Sequence, residues 1–437
     1  MSVSVKPRPA LREVCFWRES APPIPSYDGR PLPAQADVVV IGGGYTGLST
    51  ALHLAKKGAQ VTLLERATLG SEASSRNGGF STCGLSISAQ AAVRRYGLAR
   101  ARQLFQAAVE AVDCVEAIVR TETIDCNFER CGGLRAASKP SHFAHLRDTQ
   151  ATLARDFGYT TELISRGEQR REVGSDSYHG LLLDRKAAAL HPGKYVAGLA
   201  DAAARAGVDL RERADVTAIR RVTGAAGGGF DVTTSRGIVR AKQVMLATNA
   251  LGGSVHRGVQ RRLLPVGSYI IATEPLGDVL ARDVIPHGRV ISDTKNFSSY
   301  YRLTPDGRMA YGGRARFGQS TAATNRISGR ILYETMTGVF PQLAGVRVEY
   351  VWGGTVDFSF DRMIHAGQMD GVFYAVGYCG HGVQMATYMG RCMAEVMDGH
   401  PEANPFDSPF PLIPLYNGRP WFMPLIGAYY KLLDWLT

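Results

Sequence analysis

Glycines are the first residues in this chain whose spacing could do chemistry. Gly42, Gly43 and Gly44 stand together, Gly47 follows three residues later, and Glu65 lies 23 residues beyond Gly42. Gly42 allows a sharp turn, Gly44 leaves room for a pyrophosphate to reach the backbone, and Gly47 lets a helix lie close to a strand. The free N–H groups of a helix starting here would face phosphate, whose charge the helix dipole favours. Glu65 is placed to accept hydrogen bonds from ribose hydroxyls.

A GxGxxG spacing alone is a weak signal, so the flanking elements decide. The apolar run Val38-Val39-Val40-Ile41 precedes the glycines, and Leu48, Ala51, Leu52 and Ala55 recur behind them at helical spacing. A second run, Val61-Thr62-Leu63-Leu64, ends at Glu65. Strand, glycine turn, helix, strand and acid together predict a dinucleotide site. Near the other end, Val372-Phe373-Tyr374-Ala375-Val376 enters Gly377-Tyr378-Cys379-Gly380-His381-Gly382-Val383, and a helix is expected to follow to residue 398. That helix start can offer positive dipole to a developing anion. Between them lie a polar loop over residues 70–79 and a strand over 243–246 ending in Ala247-Thr248-Asn249-Ala250. Small residues at a strand's carboxyl end let a ligand pass close by.

The other elements must position these. Residues 1–33, with seven prolines, read as an arm pinned by Phe16, Trp17 and Tyr27. Helical patterns cover residues 89–120, 143–157, 194–205 and 325–340, the first expected as one long helix. Short strands are expected at 215–219, 230–234, 237–240 and 346–351. Residues 269–311 alternate like strands around the hairpin turn Thr304-Pro305-Asp306-Gly307. In the aromatic tail, Leu425, Tyr429, Leu432 and Leu436 form an apolar stripe, expected to pack on protein rather than on a membrane, since only Lys431 offers positive charge there.

Composition bounds the answer. With 437 residues, 45% hydrophobic and 20% charged, the chain can build two or three globular domains. The net charge of +11 comes from widely spread arginines, which reads as surface charge rather than a nucleic-acid module. No apolar run reaches the ~18 residues of a membrane span. Residues 1–12 lack a signal-peptide core, and the seven cysteines are scattered, with Cys126 and Cys131 unaccompanied by further ligands. A reduced, cytoplasmic protein without a metal site is expected.

In their order, the first glycine motif, Glu65, Ala73-Ser74-Ser75-Arg76-Asn77-Gly78-Gly79, Ala247-Thr248-Asn249-Ala250 and Gly377-x-x-Gly380-His381-Gly382 resemble the D-amino-acid-oxidase-like FAD oxidoreductases. His191-Pro192-x-Lys194-Tyr195 and Tyr301-Arg302-Leu303-Thr304-Pro305-Asp306-Gly307-Arg308 place the resemblance in the gamma-glutamylputrescine oxidase-like branch. The resemblance implies an α/β fold: a discontinuous Rossmann-like FAD-binding domain (residues 34–90, 187–262 and 366–400) and a sheet-rich α+β substrate domain (91–186 and 263–365). Residues 1–33 would then be an arm and 401–437 a tail.

It also implies site roles. Gly42, Gly44, Tyr45, Thr46 and Gly47 would hold the pyrophosphate, Glu65 and Arg66 the adenosine ribose, and Val216 the adenine. Ser74, Ser75, Asn77 and Gly78 would line the flavin loop, with Ala247 and Thr248 flanking the cofactor. Gly377, Gly380, His381, Gly382 and Val383 would approach the flavin ring, His381 serving catalysis. Arg302 and Arg314 are the candidates for a substrate carboxylate.

Relatives with covalent flavin attach it through a histidine in the first loop or a cysteine near the later tryptophan; here Arg76-Asn77 and Gly353-Gly354-Thr355 offer neither, so a dissociable FAD is expected. The strand segment Arg308-Met309-Ala310-Tyr311-Gly312 also lacks the lysine that helps oxygen react in the sarcosine oxidases. The implied activity is oxidation of a small-molecule amine by hydride transfer to flavin N5, with O2 as acceptor. Alternatives are a dehydrogenase serving a quinone and a flavoprotein domain serving RNA modification or a larger complex. Oligomeric state stays open.

Overall fold

A computed structural model describes residues 11–223, 228–253, 255–313, 322–418, 420, 422, 423, 425, 427 and 429. Two large sheets organise it. The first runs in the order His365–Met369, Val372–Val376, Gly237–Leu246, Gln35–Ile41, Val61–Leu64, Asp209–Arg211, with Gly229–Thr234 and Val216–Val222 branching from Gly237–Leu246. Gln35–Ile41 pairs in parallel with both neighbours. A parallel strand covered on both faces needs apolar residues at every position. Accordingly Val38 and Val40 enter the core shared with the helices, whereas Val39 and Ile41 enter a second core on the opposite face.

Helices Tyr45–Lys56, Leu98–Thr121, Pro192–Arg205 and Gly382–Met397 contribute to that shared core. Two of them approach closely: Ser49 Oγ donates to the Thr387 carbonyl at 2.7 Å, and a Cβ on Gly390 would stand 2.7 Å from the Thr46 carbonyl oxygen.

The second sheet runs Val348–Ser359, Leu263–Pro275, Arg308–Gly313, Ser299–Leu303, Val290–Asp293, Gly133–Ala136, Leu181–Asp184, Glu162–Ile164. Alternation divides its residues between two faces. Leu134, Ile291, Tyr301, Tyr311, Tyr269 and Val351 point into a core that also takes Leu332 and Met336 of helix Ala322–Val339. Their sequence neighbours Arg135, Ser292 and Tyr300 occupy the other face and line a cavity between the sheets.

Several expected elements change form. The helix expected over residues 89–120 is two helices, Ala89–Tyr96 and Leu98–Thr121, because Gly97 adopts φ 74° and ends the first turn sequence. The separate strands expected at 237–240 and 243–246 are one strand, Gly237–Leu246, whose first half pairs with Gly229–Thr234 and whose second half pairs with Gln35–Ile41. The hairpin turn forms as expected, Gly307 N donating to the Thr304 carbonyl at 2.9 Å. In the arm, Phe16, Trp17 and Tyr27 are buried. In the tail, Met423 is buried while Leu425 and Tyr429 are exposed; Leu432 and Leu436 lie outside the described residues, as do Trp421 and Trp435. Among the described residues no helix is long and apolar enough to cross a membrane.

Candidate active site

One cavity of about 1500 Å³ runs from the carboxyl end of the first sheet to the free face of the second. It exceeds the ~300–1,000 Å³ of an ordinary small-ligand pocket and has room for an elongated cofactor with a substrate beyond it.

The cofactor end is built from backbone. Gly42 has φ 110°, and a Cβ there would lie 2.6 Å from the Ala247 carbonyl oxygen, so the first turn presses directly on the end of the neighbouring strand. On Gly44 a Cβ would come within 2.8 Å of Ser74 Oγ. Ser74 Oγ itself accepts from Tyr45 N at 3.0 Å, which ties the loop over residues 70–79 to the first helix. Glu65 accepts from Gly43 N and Ala67 N, each at 2.8 Å, and burial raises its pKa. Two lone pairs on its carboxylate remain for ribose hydroxyls. Thr248 lines the cavity, but its Oγ1 is buried without a partner among the described residues and lies 2.5 Å from where a Cβ on Gly252 would stand. A glycine wall on which side chains would collide fits a bound dinucleotide.

Most sequence-predicted residues meet on this cavity: Gly42, Gly44, Tyr45, Thr46, Glu65, Arg66, Ser74, Asn77, Gly78, Val216, Ala247, Thr248, Gly380, His381, Gly382 and Val383. Three stand behind its wall. Gly47 is a packing glycine, since a Cβ would sit 1.9 Å from the Gly42 carbonyl oxygen. Ser75 is buried, its carbonyl accepting from Cys15 Sγ. Gly377, at φ 83°, turns the chain before the lining residues begin. They shape the site without facing it.

Arg302 requires a correction. Its guanidinium is buried among backbone carbonyls, donating to Leu190 O at 2.8 Å, Gly79 O at 3.2 Å and Leu303 O at 3.0 Å. It does not line the cavity, so it cannot clamp a substrate carboxylate there. Burial pulls its pKa down to about 10, as expected of a cation surrounded by neutral acceptors. Arg314 lies outside the described residues.

Three residues passed over in the sequence matter in space. Asp357 stands at the end of the long strand Val348–Ser359 and is fully enclosed. It accepts from Gly377 N at 2.5 Å and Tyr378 N at 3.2 Å, and its carbonyl accepts from Cys379 N at 3.1 Å. One acid thereby fixes the loop that leads to His381, and burial pushes its pKa up to about 6. An acid between apolar Val356 and Phe358 was the available signal. Tyr300 lies flat over Gly312, where any Cβ would strike its ring at 2.3 Å, and shares a 2.9 Å hydrogen bond with Ser268 Oγ. Arg135 shares its sheet face, as strand alternation about the buried Leu134 and Ala136 indicates.

His381 caps helix Gly382–Met397 from outside, with Nδ1 3.0 Å from Ser86 Oγ. The helix start behind it aims its unpaired N–H groups at the cavity, where negative charge is favoured. Thr46 Oγ1 and Tyr378 Oη, 2.7 Å apart, couple the first glycine helix to this second loop.

Comparison with known proteins adds the following. The family of FAD dependent oxidoreductases (DAO) matches residues 37–396. Gamma-glutamylputrescine oxidoreductase of Escherichia coli (strain K12) is 36% identical over 403 residues, covering 91% of this chain and 92% of that protein. The glycine oxidase structure from Geobacillus kaustophilus superposes with a TM-score of 0.72 at 20% identity, covering 88% of this chain and 98% of the other. The L-proline dehydrogenase structure from P. horikoshii gives a TM-score of 0.68 at 22% identity, covering 86% and 98%.

Proposed function

Because the chain belongs to the DAO family of FAD-dependent oxidoreductases, we propose that it oxidises the C–N bond of an amine of the gamma-glutamylputrescine type, with dioxygen as the final acceptor. The observation that carries this reading is the single cavity joining a dinucleotide cradle to a polar chamber on the second sheet. Bound there, FAD supplies a two-electron acceptor for the hydride on the amine's α-carbon. Gly42, Gly44 and the helix start behind them would hold its pyrophosphate and Glu65 its ribose, with Thr248 flanking it. FAD is held without a covalent bond. In support, Arg76, at the position of the expected attachment loop, is committed to the carbonyls of Ser71 and Gly353 at 2.8 and 3.0 Å.

What the protein's own residues do is position, exclude water and stabilise charge. Tyr300, bonded to Ser268 Oγ and lying beside Gly78, would form a lid over the substrate's reacting carbon. The helix start at Gly382, with His381 before it, would stabilise negative charge developing beside it. The amine enters neutral, since a protonated nitrogen has no lone pair with which to stabilise the electron-poor carbon. Water then hydrolyses the imine product to an aldehyde and ammonia. Paired peroxide and quinone-dye assays test the acceptor: stoichiometric peroxide supports the reading, whereas dye turnover with no peroxide would make this chain a dehydrogenase.

A further inference from the structure

We propose that Arg135 is the anchor for a carboxylate at the far end of the substrate, remote from the carbon that is oxidised. This rests on the amine-oxidation reading above and names the substrate class more narrowly: an elongated amine ending in an acid.

Arg135 is the outward member of strand Gly133–Ala136, whose other three residues are buried. Its side chain is accessible, yet the space it faces is the cavity rather than open solvent, and loss of hydration lowers its pKa. Its one side-chain hydrogen bond among the described residues is weak, Nη1 to Ser292 Oγ at 3.3 Å, and no carboxylate of those residues lies within ion-pairing distance. The nearest acid to influence it, Asp293, points to the opposite face and accepts from Ser299 N at 3.0 Å. A guanidinium facing the cavity with most of its donors unused among the described residues invites a bidentate anion. The other arginines near this chamber are already engaged: Arg302 by three carbonyls, Arg362 by the Ser86 carbonyl at 2.6 Å. Lys295 also lines the cavity and adds positive charge.

Position sets the length of the ligand. Sheet register aligns Arg135 with Ser292 and Ser292 with Tyr300, so Arg135 stands two strands from the tyrosine that forms the lid. At about 4.8 Å per strand that is ~10 Å. An extended chain advances ~3.6 Å per three bonds, so roughly eight bonds separate the reacting carbon from the acid. An amino-acid head joined through a side-chain amide to a short diamine has this length; a simple α-amino acid does not.

Two variants, Arg135→Gln and Arg135→Lys, are compared with wild type as FAD-loaded enzymes, with flavin content and Tm as fold controls. Each is reduced anaerobically with gamma-glutamylputrescine and with its analogue in which the carboxylate is a carboxamide. Binding of gamma-glutamyl-n-butylamide, which keeps the acid and lacks the terminal amine, is followed by the flavin spectrum. We expect Arg135→Gln to lower kcat/KM for the acid by about 100-fold, chiefly through KM. The carboxamide should change less than about threefold, and Arg135→Lys should fall between. The butylamide should bind Arg135→Gln weakly in the same proportion. Equal losses on acid and carboxamide, or unchanged butylamide binding, would overturn the anchor. If no amine reduces wild-type flavin, the oxidation reading fails; the butylamide comparison then still decides the anchor.

Discussion

The two ends of the cavity meet their ligand by different means. At the first sheet, Gly42, Gly44 and the start of helix Tyr45–Lys56 present backbone, and side chains are kept out by carbonyls and hydroxyls 2.6–2.8 Å from where a Cβ would stand. At the second sheet, Arg135, Ser292 and Tyr300 present side chains from three strands that sequence separates widely. A backbone site tolerates no added atoms and binds a cofactor common to many enzymes. A side-chain site can be rewritten residue by residue without disturbing the sheet, and this is where substrate choice belongs.

Substitutions should break the two ends differently. The largest effect is expected for Gly44→Val at the backbone end. Steric overlap of about 3 kcal/mol corresponds to roughly 100-fold weaker FAD binding, so the purified variant should be folded and colourless. Far-UV circular dichroism with flavin absorbance checks this; full flavin occupancy would remove the first glycine turn from the cofactor site.

Arg302→Met sharpens the contrast between a structural and a ligand-facing arginine. Its loss leaves the carbonyls of Leu190, Gly79 and Leu303 short of a donor. Stability should fall by about 3 kcal/mol in urea unfolding, with no change in preference between acidic and neutral amines. A selective loss on acidic substrates would return Arg302 to the substrate site.

Asp357→Asn tests the link between the sheets. The amide can satisfy only one of the two N–H groups at Gly377 and Tyr378 and turns its own donor on the other. A loss of about 2 kcal/mol is expected, with weaker flavin binding because the loop before His381 loosens. Unchanged flavin affinity would separate the loop from the cofactor.

The smallest effect is a pH dependence far from the substrate. Buried His191 accepts from Lys194 N through Nδ1 at 3.1 Å and lies 3.0 Å from Ser20 Oγ through Nε2, and burial pulls its pKa from 6.5 down to about 4. Between those values the unfolded chain binds the extra proton, so stability rises with pH from about 4 to 6.5 and is lost as pH falls. His191→Asn keeps a helix cap without titrating. Relative to that variant, wild type should lose on the order of 2 kcal/mol between pH 7 and 4. A pH-independent difference would contradict the neutral, capping imidazole.

The same contrast explains what could be read from the sequence. The cradle was legible because Gly42, Gly44, Gly47 and Glu65 belong to one local strand–turn–helix–strand unit, although Ala247, against which Gly42 presses, comes from a distant strand. The second glycine turn was legible for the same reason. The proposed lid and anchor were not, because Arg135 and Tyr300 come together only through sheet register, which local patterns leave open. Arg302 attracted attention as an arginine in a strand-rich segment; alternation gives it the same face as Tyr300, but there the backbone carbonyls of residues 79 and 190 take its donors and the chain covers it. The break at Gly97 was hidden because the apolar stripe resumes in phase closely enough to read as one helix, although the glycine alone could supply φ 74°.

The central claim, that this cavity joins FAD to an oxidisable amine, is tested most directly by anaerobic titration of the purified holoenzyme with gamma-glutamylputrescine. The account predicts stoichiometric bleaching of the oxidised flavin band near pH 8, where enough of the amine is neutral, and its return on admitting air. A flavin that stays oxidised with this substrate and with primary amines, secondary amines and amino acids alike would contradict it.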